Sequence, residues 1–99
     1  MTPSLFHFAL SPACRLLRLV LAEKGVGFRL EPVRFWQRPE AFLRLNPAGT
    51  VPVLKTSEQA VALSETRALI EYLEEAFPEP NLIGPDTETR AEVRRLTCW

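Results

Sequence analysis

The chain has 99 residues, with twelve basic and twelve acidic side chains, 46% apolar and 24% charged. That length supports one compact domain and excludes a second full one, and that composition excludes a disordered chain. The balanced charge supplies no global field to draw the chain onto nucleic acid or anionic lipid, and no apolar run approaches the ~20 residues of a membrane span.

Met1-Thr2-Pro3-Ser4 lacks a basic leader region, which argues against a secretory signal. Cys14 and Cys98 are too few for a disulfide scaffold and read as reduced thiols in a cytoplasmic protein. With one histidine and no CxxC pair, no metal site is expected.

The first apolar run, Leu5 to Leu10, is short and aromatic-rich and predicts a buried strand. Ser11 can cap a following helix, with Pro12 at its first position, where a missing N–H costs nothing. Leu16, Leu17, Val20 and Leu21 predict the apolar face of that helix, and Gly25 its stop. Val26 to Val33 alternates and predicts a second strand, parallel to the first because the crossover is helical. A short helix is expected over Glu40 to Leu45. Val51–Lys55 and Gln59–Leu63 predict a hairpin with its tip at Thr56-Ser57-Glu58. Ser64 is the expected cap of a helix running to Phe77, which Pro78-Glu79-Pro80 ends.

The order β-α-β-(α)-β-β-α implies an α/β fold, a four-stranded mixed sheet flanked by helices, in the thioredoxin-like architecture. It occupies residues 1–80. Residues 81–85 read as a linker, and 86–99 as a further helix that ends in mid-pattern at an apolar Trp99. This tail is expected to open a truncated all-helical second domain. Val93, Leu96 and Trp99 would then be exposed and promote self-association.

Polar groups gather where ligands of α/β sheets bind, beyond the carboxyl ends of strands and at helix N-termini. Ser11 stands at such a place, set to donate to a thiolate and lower the thiol's pKa. By itself such a serine is more often only a cap. Ser64-Glu65-Thr66 opens the later helix, where free N–H groups and the Thr66 hydroxyl suit a carboxylate and Glu65 suits an ammonium; an ordinary cap is again the commoner reading. Pro52 at the start of a strand cannot donate to the ladder. Were its peptide bond cis, Val51 would turn its backbone outward to pair with an extended ligand. Together these groups ask for a small, peptide-like anion bearing a thiol, an ammonium and carboxylates.

Four ordered segments carry a specific resemblance: Ser11-Pro12-Ala13-Cys14-Arg15; Arg18 with Ala22-Glu23-Lys24-Gly25; Leu45 to Leu54; and Leu63 to Leu73. Over about residues 4–83 the chain resembles the N-terminal domain of soluble glutathione S-transferases, of the serine type. The resemblance implies glutathione as co-substrate and Ser11 as the catalytic hydroxyl that stabilises its thiolate. It implies that Val51 and the cis-proline match Pro52 hold the cysteinyl backbone, and that Glu65 and Thr66 hold the γ-glutamyl group. Gln37 lies near where some classes bind the glycyl carboxylate. The full-length protein is then expected to be a homodimer acting on a small electrophile or peroxide, with this stretch alone inactive. Lowering a thiol pKa by roughly 2–3 units would need ~3–4 kcal/mol from hydrogen bonding and dipole.

Two departures stand out. Thr50 occupies a place where many members carry Lys or Gln. Ser11-Pro12-Ala13-Cys14 resembles a dithiol motif whose first cysteine has become serine, so dithiol exchange is unavailable. Cys14 reads as packed. His7 reads as a core or crevice histidine rather than a base. Arg15 and Arg18 oppose the helix dipole and are expected to pair with acids or a partner. Phe35-Trp36 reads equally as a wall of the cleft or as a partner surface. The alternative function is a non-catalytic binding or scaffold protein of the same fold, because Phe35-Trp36-Gln37-Arg38-Pro39 resembles a loop of bacterial cell-division members of the family.

Overall fold

A computed structural model describes residues 2–57 and 60–97. Four strands and four helices follow in the order β1 (Ser4–His7), α1 (Pro12–Glu23), β2 (Arg29–Pro32), α2 (Glu40–Leu45), β3 (Val53–Lys55), β4 (Leu63–Ser64), α3 (Thr66–Ala76) and α4 (Thr87–Thr97), with a 3₁₀ turn at Phe35–Gln37. The sheet order is β2-β1-β3-β4. β1 pairs in parallel with β2 and antiparallel with β3, and β3 pairs antiparallel with β4. This is the expected mixed thioredoxin-like sheet. The strands are shorter than their apolar runs. β1 stops at His7 because the chain turns there, the Ser11 N–H closing back on the Phe8 carbonyl at 3.0 Å. β4 begins only at Leu63. Glu58 of the expected hairpin tip and Gln59, the start of its expected second strand, lie outside the described residues, as do Cys98 and Trp99 at the end of the expected last helix.

Side chains alternate across β1, which fixes the two layers. Leu5 faces α1 and α3 and is buried with Leu17, Leu21, Leu54, Leu69 and Leu73. Phe6 faces the opposite layer and lies 6.4 Å from the Phe42 ring of α2. The buried stripe of α1 is Cys14, Leu17 and Leu21. Leu16, assigned to that stripe by the sequence pattern, is 41% exposed, because the helix turns Cys14 inward instead. Ser64 is not the cap of α3. Glu65 is, at φ +80°, and its own carboxylate accepts the Arg67 and Ala68 N–H groups at 3.2 and 3.3 Å. Asp86 caps α4 by accepting the Thr89 N–H at 2.7 Å, a bond that holds its carboxyl below the usual range. Leu96 is exposed, whereas Val93 is partly covered.

The layer assignment makes a direct prediction. Leu17→Ala should cost about 2–5 kcal/mol, as for other large-to-small changes in a packed core. Leu19→Ala, on the same helix but at a side chain 52% exposed, should stay within about 0.5 kcal/mol. Denaturant unfolding of the two variants checks it, and equal losses would mean that the α1 face is wrongly assigned.

Candidate functional site

Register, rather than proximity in sequence, assembles the candidate site. Phe6 pairs with Val53 and Val53 with Ser64, while His7 pairs with Pro32. With β1 parallel to β2 and antiparallel to β3, the chain leaves β1, leaves β2, enters β3 and leaves β4 at one end of the sheet. Ser11, the Phe35–Gln37 turn, Val51-Pro52 and Glu65-Thr66 therefore share that end.

Ser11 is half-buried, with ordinary extended backbone at φ −75° and ψ 123°. Its Oγ accepts the Cys14 N–H at 3.3 Å. A hydroxyl that accepts one bond keeps its own hydrogen to donate. The group thus stands at the positive end of a 12-residue helix with a donor to spare.

Val51 precedes β3 and lies outside both ladders, which begin at Val53. The Val51–Pro52 peptide is cis, as is Glu79–Pro80. The turn that delivers Val51 is built by Asn46, which sequence reasoning passed over. Asn46 is buried, donates through Nδ2 to the Thr50 carbonyl at 2.8 Å and to Thr50 Oγ1 at 3.1 Å, and accepts the Ala48 N–H at 3.2 Å. The signal available in sequence is an Asn opening Asn-Pro-Ala-Gly, a turn composition, just before the proline. These bonds also occupy Thr50, the departure noted above.

Glu65 and Thr66 sit where expected, but the donors there are partly taken. The Arg67 and Ala68 N–H groups bond to Glu65 Oε1, which leaves the Thr66 backbone and hydroxyl and the second Glu65 oxygen for a ligand. A groove of about 480 Å³ lies beside them, between α3 and α4, with Ile70, Ile83 and Val93 on its walls. Gln37 is exposed and lines a separate groove of about 490 Å³ against β2 and α2. Neither of these two grooves gathers Ser11, Val51, Glu65 and Gln37 together.

Phe8, Phe35 and Trp36 form a three-ring cluster, with ring centroids 4.8 to 5.9 Å apart and edge-to-face tilts of 72–83°. Phe8 abuts the Ser11 turn, so the cluster walls this end of the sheet, while Trp36 remains 54% exposed. His7 is buried, and its Nδ1 lies 3.2 Å from the Arg18 guanidinium, which carries only donors. Nδ1 is therefore the acceptor of a neutral ring. Arg18 thus pairs with a histidine rather than an acid, and Arg15 is exposed. Burial first, and the Arg18 charge second, push the His7 pKa below its ordinary 6.5.

The sequence profile of the "Glutathione S-transferase, N-terminal domain" family matches residues 5–81. The chain belongs to this family. It is 47% identical over 98 residues to FtsZ-localized protein A of Caulobacter vibrioides, an alignment covering 97% of this chain and 43% of that protein. Its fold matches a glutathione S-transferase of Rhodospirillum rubrum with a TM-score of 0.93 and 44% identity, over 99% of this chain and 44% of that one. It also matches a glutathione S-transferase of Methylobacterium radiotolerans solved in complex with glutathione sulfonate, with a TM-score of 0.87 and 30% identity, over 96% and 44% of the two chains. The chain spans less than half the length of these relatives. Among the described residues no cluster of side chains suits a metal ion, and no helix is long and apolar enough to cross a membrane.

The His7 environment predicts a pH dependence. With the native pKa lowered, the unfolded chain binds more protons in the interval between that value and 6.5. Stability should therefore be retained above about 6.5 and fall as the pH drops through that interval. Arg18→Met should reduce the fall by removing the charge contribution. Urea unfolding across this pH range checks it, and an identical slope in His7→Gln would assign the effect to other groups.

Proposed function

We propose that this chain is the glutathione-binding domain of a serine-type glutathione S-transferase. The observation that carries this reading is Ser11. Its hydroxyl caps α1 as an acceptor and keeps a hydrogen to donate, at the end of the sheet that also presents Val51-Pro52 and Glu65-Thr66. In this reading glutathione lies along that edge as an added strand would, its cysteinyl backbone against Val51. Its γ-glutamyl group meets Glu65 and Thr66, and Gln37 approaches the glycyl carboxylate. The thiol gives its proton to solvent, Ser11 donates to the resulting thiolate, and the sulfur forms its bond to an electrophilic carbon as that carbon's leaving group departs with the electron pair of the broken bond.

The Methylobacterium structure supports the ligand, since that relative holds a glutathione derivative. Residues 1–80 are the binding domain, 81–85 the connection and 86–99 the beginning of a helical domain, in a cytoplasmic protein that works as a homodimer. The second reading is a non-catalytic scaffold of the same fold. It is favoured by the 47% identity to FtsZ-localized protein A, a protein named for its localisation, and by the uncharged Thr50.

Calorimetric titration of glutathione into the protein, beside Ser11→Ala, tests the reading. Binding to both proteins is expected. The ultraviolet absorbance of the thiolate should titrate roughly one pKa unit or more lower with the wild type than with the variant. The variant should also lose about 0.5–2 kcal/mol of stability with its cap. Absence of binding heat in the wild type would favour the scaffold reading.

A further inference from the structure

β2 is an edge of the sheet, since the strand order is β2-β1-β3-β4, and all of Arg29–Pro32 is exposed. Its inner side is occupied by β1. The Arg29 N–H donates to the Pro3 carbonyl and the Val33 N–H to the His7 carbonyl, each at 2.8 Å. In a parallel ladder alternate residues turn both backbone groups to the same neighbour. Arg29, Glu31 and Val33 therefore face β1, and Phe28, Leu30 and Pro32 turn their backbone groups outward. The open edge offers the N–H groups of Phe28 and Leu30, with the carbonyls of Phe28, Leu30 and Pro32.

The side chains along this edge are complementary to themselves. Register with Ser4 and Phe6 puts Arg29 and Glu31 on the α2 face, one on either side of Leu30. Among the described residues neither of them has an ion pair. Leu30 points to the other face and is 44% exposed. A row of like charge would keep two copies of such an edge apart. β2 carries opposite signs instead, placed symmetrically about Leu30.

We propose that β2 is a docking edge for a second copy of this chain, the two strands running antiparallel about a dyad at Leu30. The Leu30 N–H and carbonyl then exchange bonds with those of the partner's Leu30, and the Phe28 N–H reaches the partner's Pro32 carbonyl. Arg29 stands opposite the partner's Glu31, and Glu31 opposite the partner's Arg29, at the ~5 Å of directly paired side chains. Charge selects this register. A dyad at Arg29 would set arginine against arginine, and one at Glu31 glutamate against glutamate, both unfavourable. Pro32 lacks an N–H and withholds a bond at each end, which keeps the contact short. Gly25 and Gly27, just ahead of β2, have open space where a Cβ would stand, so the partner chain leaving its own β2 meets no side chain there. A contact this short lies well below the ~1,000 Å² of a stable interface and is transient. It uses no residue of the candidate site and does not depend on which ligand that site takes.

Sedimentation equilibrium up to roughly 1 mM chain tests the contact. The wild type should show a monomer–dimer equilibrium. Arg29→Glu alone and Glu31→Arg alone should each weaken it roughly tenfold or more, because every cross-strand pair becomes like-charged. Both side chains are exposed, so the fold stands in each variant. An equimolar mixture of the two variants should dimerise again, since the acids of one chain then face the bases of the other. Hydrogen exchange at the Phe28 and Leu30 amides should slow as concentration rises, with Leu5 unchanged. A wild type that stays monomeric, single variants that associate as the wild type does, or a mixture that fails to recover would overturn the proposal. So would association that leaves exchange at Leu30 unchanged, which would place the contact elsewhere.

Discussion

The four residues of β1 are the constraint on which the rest of the structure depends. Among the described residues they are the one strand segment paired on both sides with different directions, parallel to β2 and antiparallel to β3. Their side chains divide the molecule, Leu5 into the leucine core under α1 and α3, and Phe6 against α2. Because the side-chain period is two, a slip of one residue would exchange these faces and place Phe6 in the leucine layer. The same register decides which loops are neighbours. Ser11, Val51, Glu65 and the Phe35–Gln37 turn come from separated stretches of chain, and they share one end because β1 fixes the directions of its partners. The site is thus a consequence of strand pairing before it is a matter of side chains.

Polar burial in this small domain follows one rule. No buried side-chain nitrogen or oxygen among the described residues lacks a partner. Asn46 spends its amide on the turn before Val51, His7 accepts from Arg18, and Lys24 with Glu74 saturates the carbonyls where α3 ends. Asn46, Lys24 and Glu74 lie where the chain turns while still covered by other elements, so backbone groups that a strand or helix would satisfy need side chains instead. The leucine cluster supplies the non-directional cohesion. These few polar residues determine where the connecting segments lie upon it.

The element order, the parallel and antiparallel pairings and α2 at Glu40–Leu45 were legible because hydrophobic period and turn composition report local geometry directly. Strand lengths were less so. Apolar residues run past the ladder into the aromatic cluster, where Phe8 packs on Phe35 and Trp36 instead of pairing. Leu16 was misplaced because an apolar residue on a helix border has no local signal for which way it faces, whereas Cys14 is packed as expected. The cap of α3 was misplaced by one residue, since a Ser normally outranks a Glu as a cap. What displaced Ser64 is its place in the β3–β4 ladder opposite Val53, which is long-range information. The Lys24–Glu74 pair was illegible for the same reason, as its role depends on carbonyls brought to it by the fold, whereas Asn46 acts within its own turn and its signal was passed over.

The candidate site residues differ in how much of their presence the fold explains. Ser11 has unstrained backbone and caps a helix, a task any such helix start rewards, so it serves the fold whether or not a ligand binds. Asn46 and Thr50 likewise complete a turn. Glu65 is different. A non-glycine residue at φ +80° costs about 1–3 kcal/mol, and the capping bonds it makes are worth about 0.5–2. They are also at the long end of hydrogen-bond distances, at 3.2 and 3.3 Å. The two ranges overlap, so capping offsets part or all of that cost, whereas glycine would adopt the same backbone without it. A carboxylate held there against its backbone preference, with one oxygen uncommitted, is what an ammonium-bearing ligand requires. Glu65 therefore adds to Ser11 a second group at this end of the sheet whose chemistry suits the glutathione reading.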